Sequence, residues 1–220
     1  MKVSIIMPAF MAAETIRDAI ESVLAQSHQD WELLIVDDGS SDGTAEIAND
    51  FTRRDTRIRC RAQDNAGVSA ARNVALDDAI GDAIAYLDAD DIYLSDHLAV
   101  RVRLLELGHE FVFGPVWELK AGRRSVFHGS LFGENTDCVL PLMVMHVRRC
   151  VEKTRFDPDL VFEEDLDLWR RLTMLHSLFQ FSDPVTAEYR VHDSATHVLY
   201  ERGGEAAIHA FRRANARKPQ

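Results

Sequence analysis

The chain has 220 residues, 36 acidic and 25 basic, for a formal net charge of -11 at pH 7. That length can bury a real core as one large domain, and the acidic balance argues against a nucleic-acid surface, which needs clustered Lys and Arg to release counterions. No apolar run approaches about 18 residues, and the first residues read as a strand, not as a charged segment ahead of a signal core, so a soluble cytoplasmic protein, or at most one peripheral to the inner face of a membrane, is expected.

Val3-Ser4-Ile5-Ile6-Met7 is a short apolar run stopped by Pro8, the pattern of a buried strand. Ile16, Ala19, Ile20, Val23 and Leu24 follow at helical spacing. Glu32-Leu33-Leu34-Ile35-Val36 is a second strand ending at Asp37-Asp38-Gly39-Ser40, after which Ser41 and Asp42 can cap a helix from Thr44. Residues 57–61 form a third, more polar strand. Val68, Ala71, Ala75, Leu76 and Ala79 make another amphipathic helix, closed by Gly81 before a strand over 83–87. This alternation predicts an α/β fold with a largely parallel sheet and helices on both faces. Ligands then bind beyond the carboxyl ends of the strands, where Pro8-Ala9-Phe10, Asp37-Asp38 and Asp88-Ala89-Asp90 should converge.

The second half is less regular. Phe111-Val112-Phe113 and Val116-Trp117-Glu118-Leu119 read as strands around Gly114-Pro115, with a turn at Gly122 toward Ser125-Val126-Phe127. Residues 163–176 carry a helical pattern, and Val185, Ala187, Tyr189 and Val191 alternate with polar residues as a half-buried strand. Cys60, Cys138 and Cys150 are odd in number and lack metal-like spacing, so they are expected as reduced thiols. The tail over 211–218 is locally basic, as a solvated helix end or as a contact with an anionic bilayer.

Chemistry concentrates in Leu87-Asp88-Ala89-Asp90-Asp91. If the strand continues, Asp88 and Asp90 project to one face. Like charges that close repel unless a cation or donor sits between them, and magnesium is commonly held by one or two carboxylates plus substrate phosphates. The plainer reading is a solvated acidic turn capping the next helix. Asp37-Asp38 sits where a carboxylate could accept the imide proton of uracil, or where it merely caps a helix. Arg72 falls on an apolar helical stripe, where a charge is costly unless paired; a buried ion pair or a role at a nucleotide both fit. In Glu163-Glu164-Asp165-Leu166-Asp167-Leu168-Trp169, steps of three, four and seven from Asp165 reach Leu168, Trp169 and Leu172, which aims Asp165 inward and leaves Glu164 on a mostly polar face. An inward carboxylate near apolar side chains should have a raised pKa, as a general base requires. His192, on the polar face of its strand, is a metal-ligand candidate or an exposed histidine.

Six segments in order resemble glycosyltransferase family 2, of GT-A fold. They are Val3 to Phe10, Glu32 to Thr44, Asn65-Ala66-Gly67-Val68-Ser69-Ala70-Ala71-Arg72-Asn73, Tyr86-Leu87-Asp88-Ala89-Asp90-Asp91, Glu164 to Trp169, and Tyr189-Arg190-Val191-His192. The resemblance implies a Rossmann-like central sheet with a smaller mixed acceptor-side region. The single domain over 1–220 would divide into a nucleotide-sugar-binding half (1–98), an acceptor and catalytic-base half (99–200), and a C-terminal helix or tail (201–220). It implies an inverting transfer of a sugar from a UDP-sugar donor to a carbohydrate or lipid-linked acceptor, with Mn2+ or Mg2+, in cell-surface polysaccharide or glycolipid synthesis.

By the same resemblance Pro8, Ala9 and Asp38 line the nucleoside pocket and Arg72 supports the nucleotide side. Asp88 contacts ribose or sugar-phosphate, Asp90 binds the metal, His192 approaches the metal or the diphosphate, and Asp165 is the catalytic base. Two positions depart from the family pattern: Phe10-Met11 stand where Tyr-Asn is usual, and Glu163 where a small residue is usual. Three rivals remain at this stage. A receiver-type signalling module also builds an acidic magnesium site, but it would leave the Glu-Asp helix unexplained. A nucleotidyltransferase would need a Gly-rich basic loop that is absent here. A catalytically silent sugar-nucleotide-binding protein would keep the pocket without turnover.

Overall fold

In a computed structural model the opening strand runs Val3–Ala9 (β1) and is buried throughout. The structure describes residues 1–131, 139–181, 183–191 and 204; Cys138, His192 and the basic tail lie outside the described residues. The strand does not stop at Pro8, which pairs in register with Val36 of β2 (Trp31–Asp37). The Leu87 N–H donates to the Ile6 carbonyl and the Asp38 N–H to that of Ala9, so alternate residues of β1 address opposite neighbours. Pro8 therefore turns its missing donor toward β4 (Ala83–Tyr86), whose pairing with β1 has already ended at Ile6 and Tyr86. Proline is tolerated in this central strand because no ladder bond is asked of it.

Helix α1 (Ile16–Leu24) buries Ile16, Ala19, Ile20 and Val23, as its spacing requires. It is followed by β2, α2 (Thr44–Thr52), the edge strand β3 (Ile58–Ala62), α3 (Val68–Asp77) and β4. Gly81 is not the cap of α3. It makes a close approach, since a Cβ there would lie 2.6 Å from the Ser4 nitrogen and 2.7 Å from Ser4 Oγ. The Gly81 N–H donates to Ser4 Oγ, which donates to buried Glu32, tying the α3–β4 turn to β1 and β2.

Among the described residues there follow β5 (Ile92–Tyr93), α4 (His97–Glu106), β6 (Phe111–Phe113), β7 (Val116–Lys120), β8 (Arg123–Phe127), β9 (Val144–Val147), α5 (Glu164–Thr173), β10 (Leu178–Gln180) and β11 (Ala187–Val191). Among the described residues seven strands form the main sheet in the order β10-β6-β9-β4-β1-β2-β3, with β9 antiparallel to both neighbours. A second sheet, β5-β11-β7-β8, flanks it and is mixed. In β11 the expected alternation fails at Glu188, which is buried against Arg124 and Arg190.

The core between β4 and α5 is aromatic. Tyr86 meets Trp169 edge-on at 5.2 Å, Trp169 meets Phe156 at 5.9 Å, and the indole N–H donates to the Val139 carbonyl. With Leu168 and Leu172 also buried, this cluster fixes one face of α5 against the sheet and sets where its first turn points.

Candidate active site

The carboxyl ends of β1, β2, β3 and β4 open into loops that meet. The Asp38 N–H bonds the Ala9 carbonyl at 2.8 Å, and the Gln63 N–H bonds the Asp37 carbonyl at 2.9 Å. Pro8 and Ala9 are buried and form the floor. Just beyond them Met11 adopts a left-handed conformation (φ 52°). Its N–H donates to Ser40 Oγ, while the N–H groups of Ala12 and Ala13 donate to Thr44 Oγ1 and Asp42. Asp42 also accepts from the Thr44 N–H, but the N-cap position of α2 is Gly43, not Ser41 or Asp42 as the sequence suggested.

Asp38 is 3% exposed, and its carboxylate is fully engaged. Oδ1 accepts from Gln63 Nε2 and from the Ala66 N–H; Oδ2 accepts from Asn65 Nδ2 and from the Gly67 N–H. A carboxylate offers about four acceptor positions, and all four are taken by the loop leading into α3. In this structure those contacts let Asp38 order residues 63–67.

The triple aspartate is a turn and not an extension of β4, because the Asp91 N–H donates back to the Asp88 carbonyl. Strand alternation therefore does not decide where its side chains point. Asp91 is buried and accepts the Arg190 N–H at 2.9 Å, which ties the turn to β11. Burial, reinforced by the charges of Asp90 and Asp88, pushes its pKa well above the usual carboxylate range. Asp88 is held by both oxygens on Arg72 Nη2, at 2.9 and 3.1 Å, yet burial still raises its pKa, with Asp90 adding repulsion. Asp90 sits half-buried at the tip.

Arg72 is 2% exposed and resolves its misfit on an apolar stripe by pairing twice. Besides Asp88, it donates from Nη1 to Glu164 Oε1 at 2.7 Å. Its guanidinium thus joins the acidic turn to the first turn of α5. The helix begins after Glu163, which is left-handed at φ 58°. Here the sequence reading is corrected: Glu164, not Asp165, is the more buried of the pair, and Asp165 is half-buried. Glu164 lies one turn before Leu168, on the same apolar stripe, and the buried guanidinium draws it in. The expected rise in the Asp165 pKa still appears: burial, then the charge of Glu164, push it to about 7 against the opposing pull of Arg72.

Sequence reasoning assigned no role to Gln63, Asn65 or Glu164. Asn65 and Glu164 each open a family-like segment, and Glu164 also carried a four-residue step to Leu168. Among the described residues no three His, Cys, Asp or Glu side chains are grouped to cage a metal. The donor set suits a hard cation held by one or two carboxylates and completed by phosphate oxygens. The repulsion that Asp90 exerts on Asp88 and Asp91 is what such a cation would relieve. No helix among the described residues is long and apolar enough to cross a membrane.

Comparison with known proteins gives a consistent result. The model of a family described as Glycosyl transferase family 2 matches residues 4–165. An Escherichia coli protein named UDP-Glc:alpha-D-GlcNAc-diphosphoundecaprenol beta-1,3-glucosyltransferase is 42% identical over 114 residues, which is 51% of this chain and 44% of that protein. The structure resembles Staphylococcus aureus TarS 1-349 in complex with UDP-GlcNAc, with a TM-score of 0.76 at 20% identity over 87% of this chain and 59% of that one. It also resembles a Pyrobaculum calidifontis mannosyltransferase in complex with GDP-Man and Mn2+, with a TM-score of 0.70 at 17% identity over 99% of this chain and 65% of that one. These structural likenesses show the GT-A type of fold. The chain spans less than half the length of the curated relatives it matches.

Proposed function

The chain belongs to glycosyl transferase family 2, and on that premise we propose that it moves a hexosyl group from a UDP-sugar to an acceptor hydroxyl, with inversion, in cell-surface polysaccharide or glycolipid synthesis. The observation that supports this reading is the pair of contacts made by Arg72. They set the half-buried carboxylate of Asp165, with its raised pKa, beside the acidic turn at the sheet's carboxyl edge. The naming of the Escherichia coli relative after a lipid-diphosphate acceptor supports the substrate class, and the nucleotide-sugar complexes of the two structural neighbours support the donor class. Residues 1–98 would bind the donor, residues 99–200 the acceptor and the base, with 201–220 as tail.

In this reading Pro8 and Ala9 floor the nucleoside pocket and Asp38 shapes its wall through residues 63–67. Asp88 faces the ribose or sugar-phosphate, and Arg72 holds Asp88 from behind. Mn2+ or Mg2+ held by Asp90 and His192 would supply positive charge for the nucleoside diphosphate leaving group. Asp165 removes the proton of the acceptor hydroxyl as its oxygen attacks the anomeric carbon, so an α-linked donor gives a β-linked product. Ordered loops and the buried Arg72 pair keep the base and donor sites in register, which is the positional part of the rate enhancement.

A thermal-shift screen of nucleotide-sugars with and without Mn2+ tests the donor assignment, because a ligand that binds only the folded state raises its melting temperature. A UDP-sugar that stabilises only with Mn2+ supports it. The absence of stabilisation by every nucleotide-sugar would refute it.

A further inference from the structure

We propose that residues 157–163, the loop that leads into α5, form the wall against which the acceptor binds, and that the sugar they accept is uncharged. The inference rests on the glycosyltransferase reading above and gives it an acceptor class.

The loop is tied down at both ends by neighbouring residues of α3. Asn73 Nδ2 donates to the Phe156 carbonyl at 2.9 Å, and the Phe156 N–H donates back to Asn73 Oδ1 at 3.0 Å. At the other end Glu164 is held by Arg72, on the guanidinium that also carries Asp88. The buried Phe156 ring lies 5.2 Å from that same guanidinium, so both ends of the loop meet at Arg72. From α5, Arg171 adds a bond to the Arg155 carbonyl at 2.9 Å. At about 3.5 Å per residue, no part of a loop closed in this way lies more than roughly 14 Å from its nearer anchor. Glu164 precedes Asp165 directly, so the whole loop stays within the length of a short oligosaccharide from the base.

Its surface suits a neutral sugar. The Asp159 N–H turns back onto Asp157 Oδ1 at 2.9 Å and the Leu160 N–H onto the Asp157 carbonyl at 3.3 Å, which leaves residues 160–163 as the span that runs into the site. Leu160 is 36% exposed, and Val161 and Phe162 are half-buried, an apolar strip of the kind that lines small-molecule sites. Asp157, Asp159 and Glu163 are exposed carboxylates, and the loop carries no Lys or Arg. Carboxylates accept hydrogen bonds from sugar hydroxyls. They repel an acceptor that is itself a uronate or a phosphate ester, and such like-charge contacts are how a site rejects the wrong partner. Glu163 holds the left-handed backbone (φ 58°, ψ 23°) that glycine adopts freely. A carboxylate side chain is kept there against the backbone preference, as happens where a side chain serves a site.

Release of UDP from the UDP-sugar that stabilises the chain, followed in Mn2+ with a panel of neutral and uronic p-nitrophenyl glycosides, tests the proposal. Without a glycoside, water attacks the anomeric carbon and UDP release reports donor hydrolysis; a glycoside that is used as acceptor adds to that rate. Neutral glycosides should accelerate release and uronides should not. Glu163→Gly should lower transfer to the neutral glycoside about tenfold relative to hydrolysis by the same variant, the usual worth of a hydrogen bond to a charged group. Its melting temperature should equal or exceed that of wild type, because glycine relieves the left-handed backbone. Asp157→Asn, Asp159→Asn and Glu163→Gln combined should bring uronides into use. Acceleration by uronides in wild type, their continued exclusion by the triple variant, or an equal loss of hydrolysis and transfer in Glu163→Gly overturns the proposal. If no UDP-sugar is bound or hydrolysed, the donor reading falls and takes this proposal with it. If the donor is hydrolysed and no glycoside accelerates release, only the proposal falls.

Discussion

Arg72 and Glu164 lie 92 residues apart in the chain and meet at 2.7 Å, with the guanidinium almost wholly buried. The same guanidinium holds Asp88, so one side chain from α3 sets the spacing between the acidic turn after β4 and the start of α5.

Breaking this clamp from its centre should be costly. Arg72→Met leaves two carboxylates without their cation, and removing one partner of a buried pair typically costs about 3–5 kcal/mol. Urea denaturation should show that loss, and Glu164→Gln in the Arg72→Met background should recover part of it. Additive losses would mean that the two residues do not act through each other.

The acidic site should make stability depend on pH in a definite direction. Asp165 is raised to about 7, and Asp88 and Asp91 are raised by burial, whereas unfolded aspartate titrates near 3.9. For Asp165, between about pH 4 and 7 the unfolded chain releases a proton that the folded chain retains, so the group lowers stability as pH rises and its effect is constant above that window; Asp88 and Asp91 act in the same direction. Asp165→Asn removes one such group. Its melting temperature relative to wild type should be higher at pH 8 than at pH 4.5; an equal difference at both pH values would contradict the shift.

Gly81→Ala should destabilise by roughly 1–3 kcal/mol, the usual cost of forcing a methyl into a packed site. The added Cβ would meet the Ser4 backbone nitrogen at 2.6 Å and the Lys2 carbonyl at 2.9 Å, and neither can move without shifting β1. A melting temperature within a degree of wild type would contradict this.

Much of this architecture was legible in the chain because local patterns and tertiary demands agree. Helix α1 carries its apolar stripe at ideal spacing, and β1 and β2 read as buried runs because both faces of a central parallel strand are covered. Elements whose shape depends on distant partners were not legible. Strand β9 is four residues long and runs against its neighbours, and β10 is three. Helix α4 hides a buried Arg101, paired to Thr186 and the Met143 carbonyl, that disguises its apolar face. The same limit misplaced the inward carboxylate of α5: the helical stripe admits both Glu164 and Asp165, and only the position of Arg72 decides between them.

Asp90→Asn, which keeps the size and polarity of the side chain, should remove the Mn2+-dependent part of UDP binding. Titration of UDP with and without Mn2+ checks this, and an unchanged metal effect would remove Asp90 from the site.

The most direct measurement is turnover and donor binding in Asp165→Asn. The variant should bind the UDP-sugar with Mn2+ within about threefold of wild type and lose roughly 100-fold or more in transfer, the scale set by a positioned general base. Transfer within tenfold of wild type, with donor binding preserved, would contradict the assignment of Asp165 as the base.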